Sequence, residues 1–167
     1  MPHLSDLDGA EDIIEFAPNY ADLTDRQKLN VWGEIISAVA LFESSWKPCG
    51  RFKEELAEPD SVTDEPVVSE GLLQLSYQDL KSYAALHLPF DWQADKLLAR
   101  TDCSKTILDP LMNLTAGIAI LTHLVQKHSR IQIEHPYWST LRDSAAGNTK
   151  VPEIIEMVKK LPFVKEA

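Results

Sequence analysis

The sequence has few cysteines, no excess of basic residues and no long apolar run. Its two cysteines, Cys49 and Cys103, are too few for a disulfide-dense scaffold or a zinc site. They either pair in an oxidising compartment or remain ordinary buried thiols. Sixteen basic against 26 acidic residues give a formal net charge of −10, which disfavours nucleic-acid binding because that requires a cationic surface. No stretch approaches the about 18 apolar residues of a transmembrane helix, so we expect no membrane span.

Signals for export and for a metal are also missing. The N-terminal segment MPHLSDLDGAEDIIEF has no basic region followed by an apolar run, so we expect no Sec-type signal peptide. Four histidines lack metal-ligand spacing with nearby acidic residues, namely His87, His123, His128 and His135. We therefore expect neither a catalytic metal nor a cofactor.

The chain is long enough to bury a hydrophobic core, with 167 residues of which 44% are hydrophobic. We predict an acidic N-terminal arm over residues 1–22 and one domain over residues 23–167. Residues 1–70 contain 16 acidic and 5 basic residues, whereas residues 71–167 contain 10 and 11. The acidic half is typical of a solvated surface, and the alternative is that it attracts a basic partner.

Two long helices are predicted from caps and apolar spacing. Thr24 and Gln27 have the spacing of a capping box and precede a helix over about residues 25–43. Asp109 as cap and Pro110 as first helical residue begin a second, central helix. We expect its core face to be an apolar stripe formed by Leu111, Leu114, Ile118, Leu121 and Val125.

The remaining elements are predicted to be short. Residues 51–70 lack helical periodicity and favour a surface loop or a small hairpin. Shorter helices are expected over about residues 76–86, with Ser76 as cap, and over residues 92–99, 137–142 and 152–160. The fold class is therefore mainly α, with a small β-hairpin or extended loop.

Glu43 is the first candidate for catalysis. It ends the first long helix, where the negative end of the helix dipole favours a protonated carboxyl group. Phe42 and Trp46 would favour the same form by excluding water. A protonated carboxylic acid is what cleavage of a glycosidic bond requires. The alternative is an ordinary glutamate that faces solvent at a helix end.

A second candidate segment is Gly71-Leu72-Leu73-Gln74. The glycine permits close approach of two backbones, and a buried glutamine in an apolar run needs a hydrogen-bond partner. The alternative is an ordinary turn into a helix.

Three segments in order carry a resemblance to a known family. They are Glu43-Ser44, then Gly71 to Gln74, then Pro110-x-x-Asn113 followed by Gly117 and Leu121. Together they resemble the lysozyme-like superfamily, which includes soluble lytic transglycosylases and goose-type lysozymes. The resemblance implies a lysozyme-like fold in which Glu43 is the catalytic acid and Ser44 positions the substrate. It also implies that Gly71 and Gln74 line the floor of the sugar-binding cleft, and that Asn113 has a structural or cleft-side position.

One motif of that family is absent. In place of the Ala-Tyr-Asn-Ala-Gly motif, the chain has Pro136-Tyr137-Trp138. Tyr137 is either a site residue near Glu43 or a core aromatic residue, and Trp138 is a candidate for stacking on a sugar.

A second carboxylate is the open mechanistic question, because most glycosidases use two and lytic transglycosylases resemble one-acid enzymes. The candidates are the acidic residues before Gly71, namely Asp60, Asp64, Glu65 and Glu70. We favour Glu70 because it adjoins Gly71.

These expectations combine into one functional hypothesis. The chain is a peptidoglycan glycoside hydrolase or lytic transglycosylase that cleaves the β-1,4 bond between amino sugars, with peptidoglycan strands as its partner. The expected location is outside the cytoplasmic membrane, by a delivery route without a Sec signal, as for antibacterial effectors whose cognate immunity protein occupies the cleft. The alternative is a catalytically inactive lysozyme-like helical module that binds glycan or a protein partner.

Overall fold

The computed structural model of the chain describes Leu7, residues 9–55 and residues 58–165. The chain forms two compact units. One unit contains the residues up to Phe42 together with those from Leu121 onwards, and the other contains Glu43–Ile120. None of the described helices combines the length and the hydropathy needed to cross a bilayer.

Six α-helices and two strands form the regular structure of the described residues, as the mainly α prediction requires. In chain order they are α1 (Ile13–Phe16), α2 (Asp25–Ser44), β1 (Arg51–Lys53), β2 (Val68–Glu70), α3 (Asp79–Ser82), α4 (Trp92–Asp95), α5 (Pro110–His128) and α6 (Val151–Val158). Short 3-10 helices lie at Tyr20–Asp22, Ala84–Leu86, Thr106–Leu108, Ser139–Leu141 and Ser144–Ala146.

The predicted acidic arm lies in the first unit. Its first six residues and Asp8 lie outside the described residues. The rest includes α1, and its apolar side chains Ile13, Phe16 and Tyr20 are buried. Burial of these side chains makes this segment part of the core of its unit, because each removes a large apolar surface from water.

Helix α2 begins with the predicted capping box. The backbone N–H and the hydroxyl of Thr24 both contact Gln27 Oε1 at 2.9 Å, and Gln27 N–H reaches Thr24 Oγ1 at 3.4 Å. Along the helix, Trp32 is buried and its Nε1 donates a hydrogen bond of 2.9 Å to the Tyr20 hydroxyl. The predicted bounds of this helix are confirmed to within a residue.

The predicted hairpin is a two-stranded antiparallel sheet. Arg51 pairs with Glu70, Phe52 with Ser69, and Lys53 with Val68. Because successive side chains in a strand point to opposite faces, the sheet has two chemically different faces. One face, here called the Arg51 face, contains Arg51, Lys53, Val68 and Glu70. The other, the Phe52 face, contains Phe52, Ser69 and Glu54, whose N–H continues the ladder to the Val67 carbonyl.

Helix α5 has the predicted start but a different core face. Asp109 Oδ1 accepts a hydrogen bond from Met112 N–H at 2.9 Å, which confirms the cap. The predicted stripe is wrong in part, because Leu111 is 69% exposed whereas Leu121 and Val125 are buried. Leu114 and Ile118 are only half-buried. The buried face combines small and polar residues with large apolar ones, namely Asn113, Ala116 and Gly117 together with Ile120 and Leu121.

The shorter helices differ from their predictions mainly in length. The helix expected over 76–86 is split into α3 and the 3-10 helix Ala84–Leu86, which is followed by His87 in the left-handed conformation. Ser76 does not cap it; its N–H instead bonds to Asp79 Oδ2 at 2.9 Å. Helix α4 is capped by Asp91, whose carboxylate accepts Gln93 N–H at 2.8 Å.

Candidate functional site

Glu43 is the second-last residue of α2 and the first residue of the second unit. Its side chain is half-buried. The chain leaves the helix through Ser45 and Trp46, whose φ angles of 54° and 56° are in the left-handed region. Residues other than glycine rarely adopt this conformation, although helices commonly end with one residue in it. Trp46 is 52% exposed, so its ring lies at the surface close to Glu43 in the chain.

Gly71 occupies a turn that only glycine fits. Its φ is +82°, and a Cβ atom there would overlap Asn113 Nδ2 and lie 2.8 Å from Asn113 Cγ. The Gly71 N–H donates a hydrogen bond of 2.8 Å to the Gly50 carbonyl. The predicted close approach of two backbones at this glycine is therefore confirmed.

Gln74 has the hydrogen-bond partners that its half-buried position requires. Its Nε2 donates to the Gly71 carbonyl at 2.8 Å and to the Gly50 carbonyl at 3.3 Å. A Cβ added at Gly50 would lie 3.4 Å from Ser44 Cβ and 3.5 Å from Gln74 Nε2. Ser44 Cβ and Gln74 Nε2 therefore both border the side of Gly50 that lacks a side chain. The first two motif segments meet there.

Asn113 holds the third segment against the second. Its fully buried side-chain amide accepts Leu73 N–H at 2.8 Å and donates to the carbonyls of Ile107 at 2.9 Å and Glu70 at 3.1 Å. One helix turn further along α5, a Cβ at Gly117 would overlap Leu73 Cδ1. Asn113 therefore has a structural role, and all three segments, apart from Leu121, lie within one unit.

A disulfide bond joins Cys49 and Cys103, which are 54 residues apart. Of the two alternatives for these cysteines, the paired one is present. Closing a loop of that size in the unfolded chain stabilises the fold by roughly 4 kcal/mol in the chain-entropy account. Because Cys49 directly precedes Gly50, the bond restrains the segment on which Ser44 and Gln74 converge.

Glu70, the favoured second carboxylate, lies on the Arg51 face and is 1% exposed. Arg51 Nε lies 2.9 Å from its Oε1, although the geometry is that of an ion pair rather than a hydrogen bond. Burial raises the pKa of the Glu70 carboxyl group above its ordinary value, and the positive charges of Arg51 and Lys105 oppose this shift. Its role as a catalytic acid stays a prediction, and its side chain already has a half-buried charged partner.

The other acidic residues before Gly71 have different surroundings. Asp60 is buried and accepts backbone N–H groups from Val62 at 2.8 Å, Thr63 at 3.1 Å and Gln78 at 2.9 Å. Glu65 is exposed and pairs with Arg100 at 2.9 Å, and Asp64 is exposed in the left-handed conformation. Asp60 therefore orders its own loop, and the other two lie at the surface.

Glu54 is an acidic residue outside the four predicted candidates. It directly follows β1, is half-buried, and accepts a hydrogen bond of 2.6 Å from the Ser69 hydroxyl. It shares the Phe52 face with the ring of Phe52, which is 60% exposed. Residues two positions apart in a strand lie on the same face, so this alternation would have placed Phe52 and Glu54 together. A strand of three residues is too short for the alternation to be recognised in the sequence.

Tyr137 and Trp138 belong to the other unit. Their rings contact each other with centroids 4.7 Å apart and planes at 61°. Trp138 is buried and Tyr137 half-buried. The predicted stacking of Trp138 on a sugar is untested, and its burial does not favour that role.

The second unit also contains a cavity of about 280 Å³. Its lining includes all four residues of the Arg51 face and none of the Phe52 face. Among the described residues, no group of three or more histidine, cysteine, aspartate or glutamate side chains is arranged to hold a metal ion.

No family model matches the chain, and no curated protein matches it either. Among solved structures it is similar to DslA, a Bdellovibrio protein. The wild-type DslA structure gives a TM-score of 0.71 at 29% identity over 93% of this chain and 80% of that chain. A glutamate-to-glutamine variant of DslA gives a TM-score of 0.73 at 28% identity, over 98% of this chain and 85% of that chain. A second glutamate-to-glutamine variant gives a TM-score of 0.71 at 28% identity. The glutamate replaced in it lies eleven positions after the one replaced in the first variant.

Proposed function

We propose that this protein is a lysozyme-like peptidoglycan glycosidase that cleaves β-1,4 bonds between amino sugars, with Glu43 as its general acid. The observation that carries the proposal is the convergence of three motif segments within the second unit. Gly50 lies between Ser44 and Gln74, and Asn113 holds the Gly71 turn through Leu73 and Glu70. The family resemblance assigns Gly71 and Gln74 to one sugar-binding floor, and their contacts support that role in the proposal.

The role of Glu43 follows from its position in the chain. It ends a 20-residue helix, and a carboxyl group at a helix C-terminus is easier to keep protonated than one in water. In the proposed mechanism Glu43 donates its proton to the glycosidic oxygen as the bond to the sugar carbon breaks. General acid catalysis of this kind contributes roughly 10²–10⁴-fold to a rate.

We propose Glu54, in preference to Glu70, as the second carboxylate. Glu43 and Glu54 are eleven positions apart, as are the two glutamates replaced in the DslA variants. The Ser69 hydroxyl restrains the Glu54 carboxylate through a hydrogen bond but leaves its other oxygen available for a water molecule or a sugar hydroxyl. Glu70, in contrast, is enclosed on the other face of the hairpin with Arg51.

The two acids have different tasks in this scheme. After Glu43 has protonated the leaving oxygen, Glu54 accepts a proton from the attacking water and yields a reducing end. If the muramyl 6-hydroxyl attacks instead, the product is an anhydro sugar and the reaction is that of a lytic transglycosylase. Both outcomes use the same cleft and the same first proton transfer.

Two exposed aromatic rings are suited to bind the sugar chain. Trp46 follows Glu43 by three positions, and Phe52 shares a face of the hairpin with Glu54. Flat apolar ring faces pack against the C–H faces of sugars, so exposed rings next to proposed acids are candidate subsites. In this proposal they have the stacking role first assigned to Trp138.

The disulfide supports a location outside the cytoplasmic membrane. Disulfide bonds persist in oxidising compartments such as the bacterial periplasm, where the proposed substrate lies. An immunity or inhibitor protein that fills the cleft remains a further expectation of the same proposal.

The experiment is a turbidity assay on purified cell walls with four single variants. Glu43→Gln and Glu54→Gln should each lower the rate by roughly 10²–10⁴-fold, because neither amide can exchange the required proton. Glu55→Gln is the matched control, since Glu55 is exposed and adjoins Glu54; its rate should stay within about twofold of wild type.

The fourth variant, Glu70→Gln, separates the two candidate second acids. A loss at Glu70 with a normal rate at Glu54 would restore the first choice and reject the present assignment. An inactive wild-type protein that still binds cell walls would favour the alternative of a binding module.

A further inference from the structure

The cavity of the second unit has no role in the proposed reaction. It is bounded by the Arg51 face of the hairpin, whereas the proposed second acid lies on the Phe52 face. Phe52, Glu54 and Ser69 are not among its lining residues. A cavity of about 280 Å³ at this position therefore requires a separate explanation.

All four acidic side chains in the lining already have partners within the protein. Asp60 accepts hydrogen bonds from three backbone N–H groups. Asp95 accepts hydrogen bonds from the Tyr77 hydroxyl and from the N–H and hydroxyl of Thr106. Glu65 forms an ion pair with Arg100, and Glu70 forms one with Arg51. The lining therefore has little capacity left to bind a cation.

Lys105 is different, because it is a buried cation without a directly bonded partner. The residue is 4% exposed and lines the cavity. Within the part of the chain that the structure describes, its ammonium group makes no hydrogen bond or ion pair. The Lys105 side chain interacts electrostatically with the Glu70 carboxyl group but makes no hydrogen bond to it. Its three N–H donors are available to an anion.

The remaining lining favours an organic monoanion over phosphate. The buried carboxylates of Glu70 and Asp95 would repel a dianion more strongly than a single negative charge. Trp92, Leu98 and Val68 supply apolar wall for an attached organic group. The cavity volume lies near the lower end of the about 300–1,000 Å³ of small-molecule sites, which suits a ligand the size of a dipeptide or a single sugar.

We propose that this cavity binds a small organic carboxylate, with Lys105 as the residue that recognises its charge. A peptide C-terminus and a carboxylated sugar both present this group, and both occur in peptidoglycan. Binding at this site does not depend on the proposed catalytic reaction, and it is measured without turnover.

The test is isothermal titration calorimetry on the full chain with three probes. The carboxylate probes are D-alanyl-D-alanine and N-acetylmuramic acid, and the C-terminal amide of the dipeptide is the control that lacks the carboxylate. At least one carboxylate should bind, which also identifies the source of the group, and the amide should bind at least tenfold more weakly. Inorganic phosphate should bind more weakly than the better carboxylate.

Two variants link the binding to Lys105. Lys105→Met retains most of the length of the side chain but not its charge, and it should weaken carboxylate binding at least tenfold. Lys127→Met removes a charge from an exposed position on α5 and should leave the affinity unchanged.

Four results would overturn the proposal. These are no binding of either carboxylate, equal binding of the amide, tighter binding of phosphate, or unchanged affinity in a folded Lys105→Met variant. If that variant does not fold, backbone NMR of the wild-type protein replaces it. Binding should then shift the amides of residues 51–53, 68–70 and 105, and shifts confined to other residues would reject the site.

Discussion

Replacing Gly71 by alanine should destabilise the protein strongly. The position has a φ of +82°, which costs a residue with a Cβ atom about 1 kcal/mol or more. The new methyl group would also overlap Asn113, whose amide makes three hydrogen bonds, so the amide must move and weaken them. At about 1 kcal/mol for each bond, the total loss is about 3–5 kcal/mol.

The matched control is Gly33→Ala in α2. Nothing lies within 4 Å of a Cβ atom at Gly33, and this residue lies in the interior of a helix. Alanine is a better helix former than glycine, so this variant should gain about 0.5–1 kcal/mol. Urea unfolding followed by circular dichroism at 222 nm measures both changes. A Gly71→Ala variant within 1 kcal/mol of wild type would refute the argument that Asn113 and the Gly71 turn are tightly coupled.

Three further predictions concern stability. Leu121→Ala should lower the free energy of unfolding by about 2–5 kcal/mol because the side chain is buried. Leu111→Ala, at an exposed position of the same helix, should change it by no more than about 0.5 kcal/mol. Equal effects in urea titrations would contradict the observed core face. Replacing Cys49 and Cys103 together by alanine should lower the free energy of unfolding by roughly 4 kcal/mol, and an unchanged melting temperature would mean that the bond does not constrain the unfolded chain. Burial raises the pKa of Glu70 in the folded state, so this group contributes stability that is fully present below its ordinary pKa of 4.5 and is lost as pH rises through the raised value. The stability of wild type relative to Glu70→Gln should therefore increase as pH falls from neutral towards 4.5, and a flat difference would show that the pKa of Glu70 is not raised.

The starts of the two long helices could be predicted because their signals are local. The Thr24–Gln27 capping box and the Asp109-Pro110 pair each lie within one turn of the helix they begin. The core face of α5 could not be read in the same way. This helix is apolar on more than one side, so spacings of three and four residues fit two registers, and the buried register contains Asn113 and Gly117.

The candidate site was likewise predictable from the sequence only in part. Gly71 and Gln74 stand out as a glycine and a polar residue in an apolar run, and their contacts match that signal. The pairing of Cys49 with Cys103 depends on a contact across 54 residues, for which the sequence has no local marker. Glu54 and the buried Lys105 were missed for a related reason, since the face of a three-residue strand and the burial of a lysine are set by distant neighbours.

Mass spectrometry of purified sacculi digested with the protein tests the central claim most directly. The account predicts that the wild-type protein releases muropeptides with newly formed reducing or anhydro ends at a β-1,4 bond, and that Glu43→Gln releases at most about a hundredth as much. The Glu55→Gln control should give the wild-type product pattern. Intact glycan strands after prolonged digestion with the folded wild-type protein, or a Glu43→Gln variant that retains more than about a tenth of the activity, would contradict it.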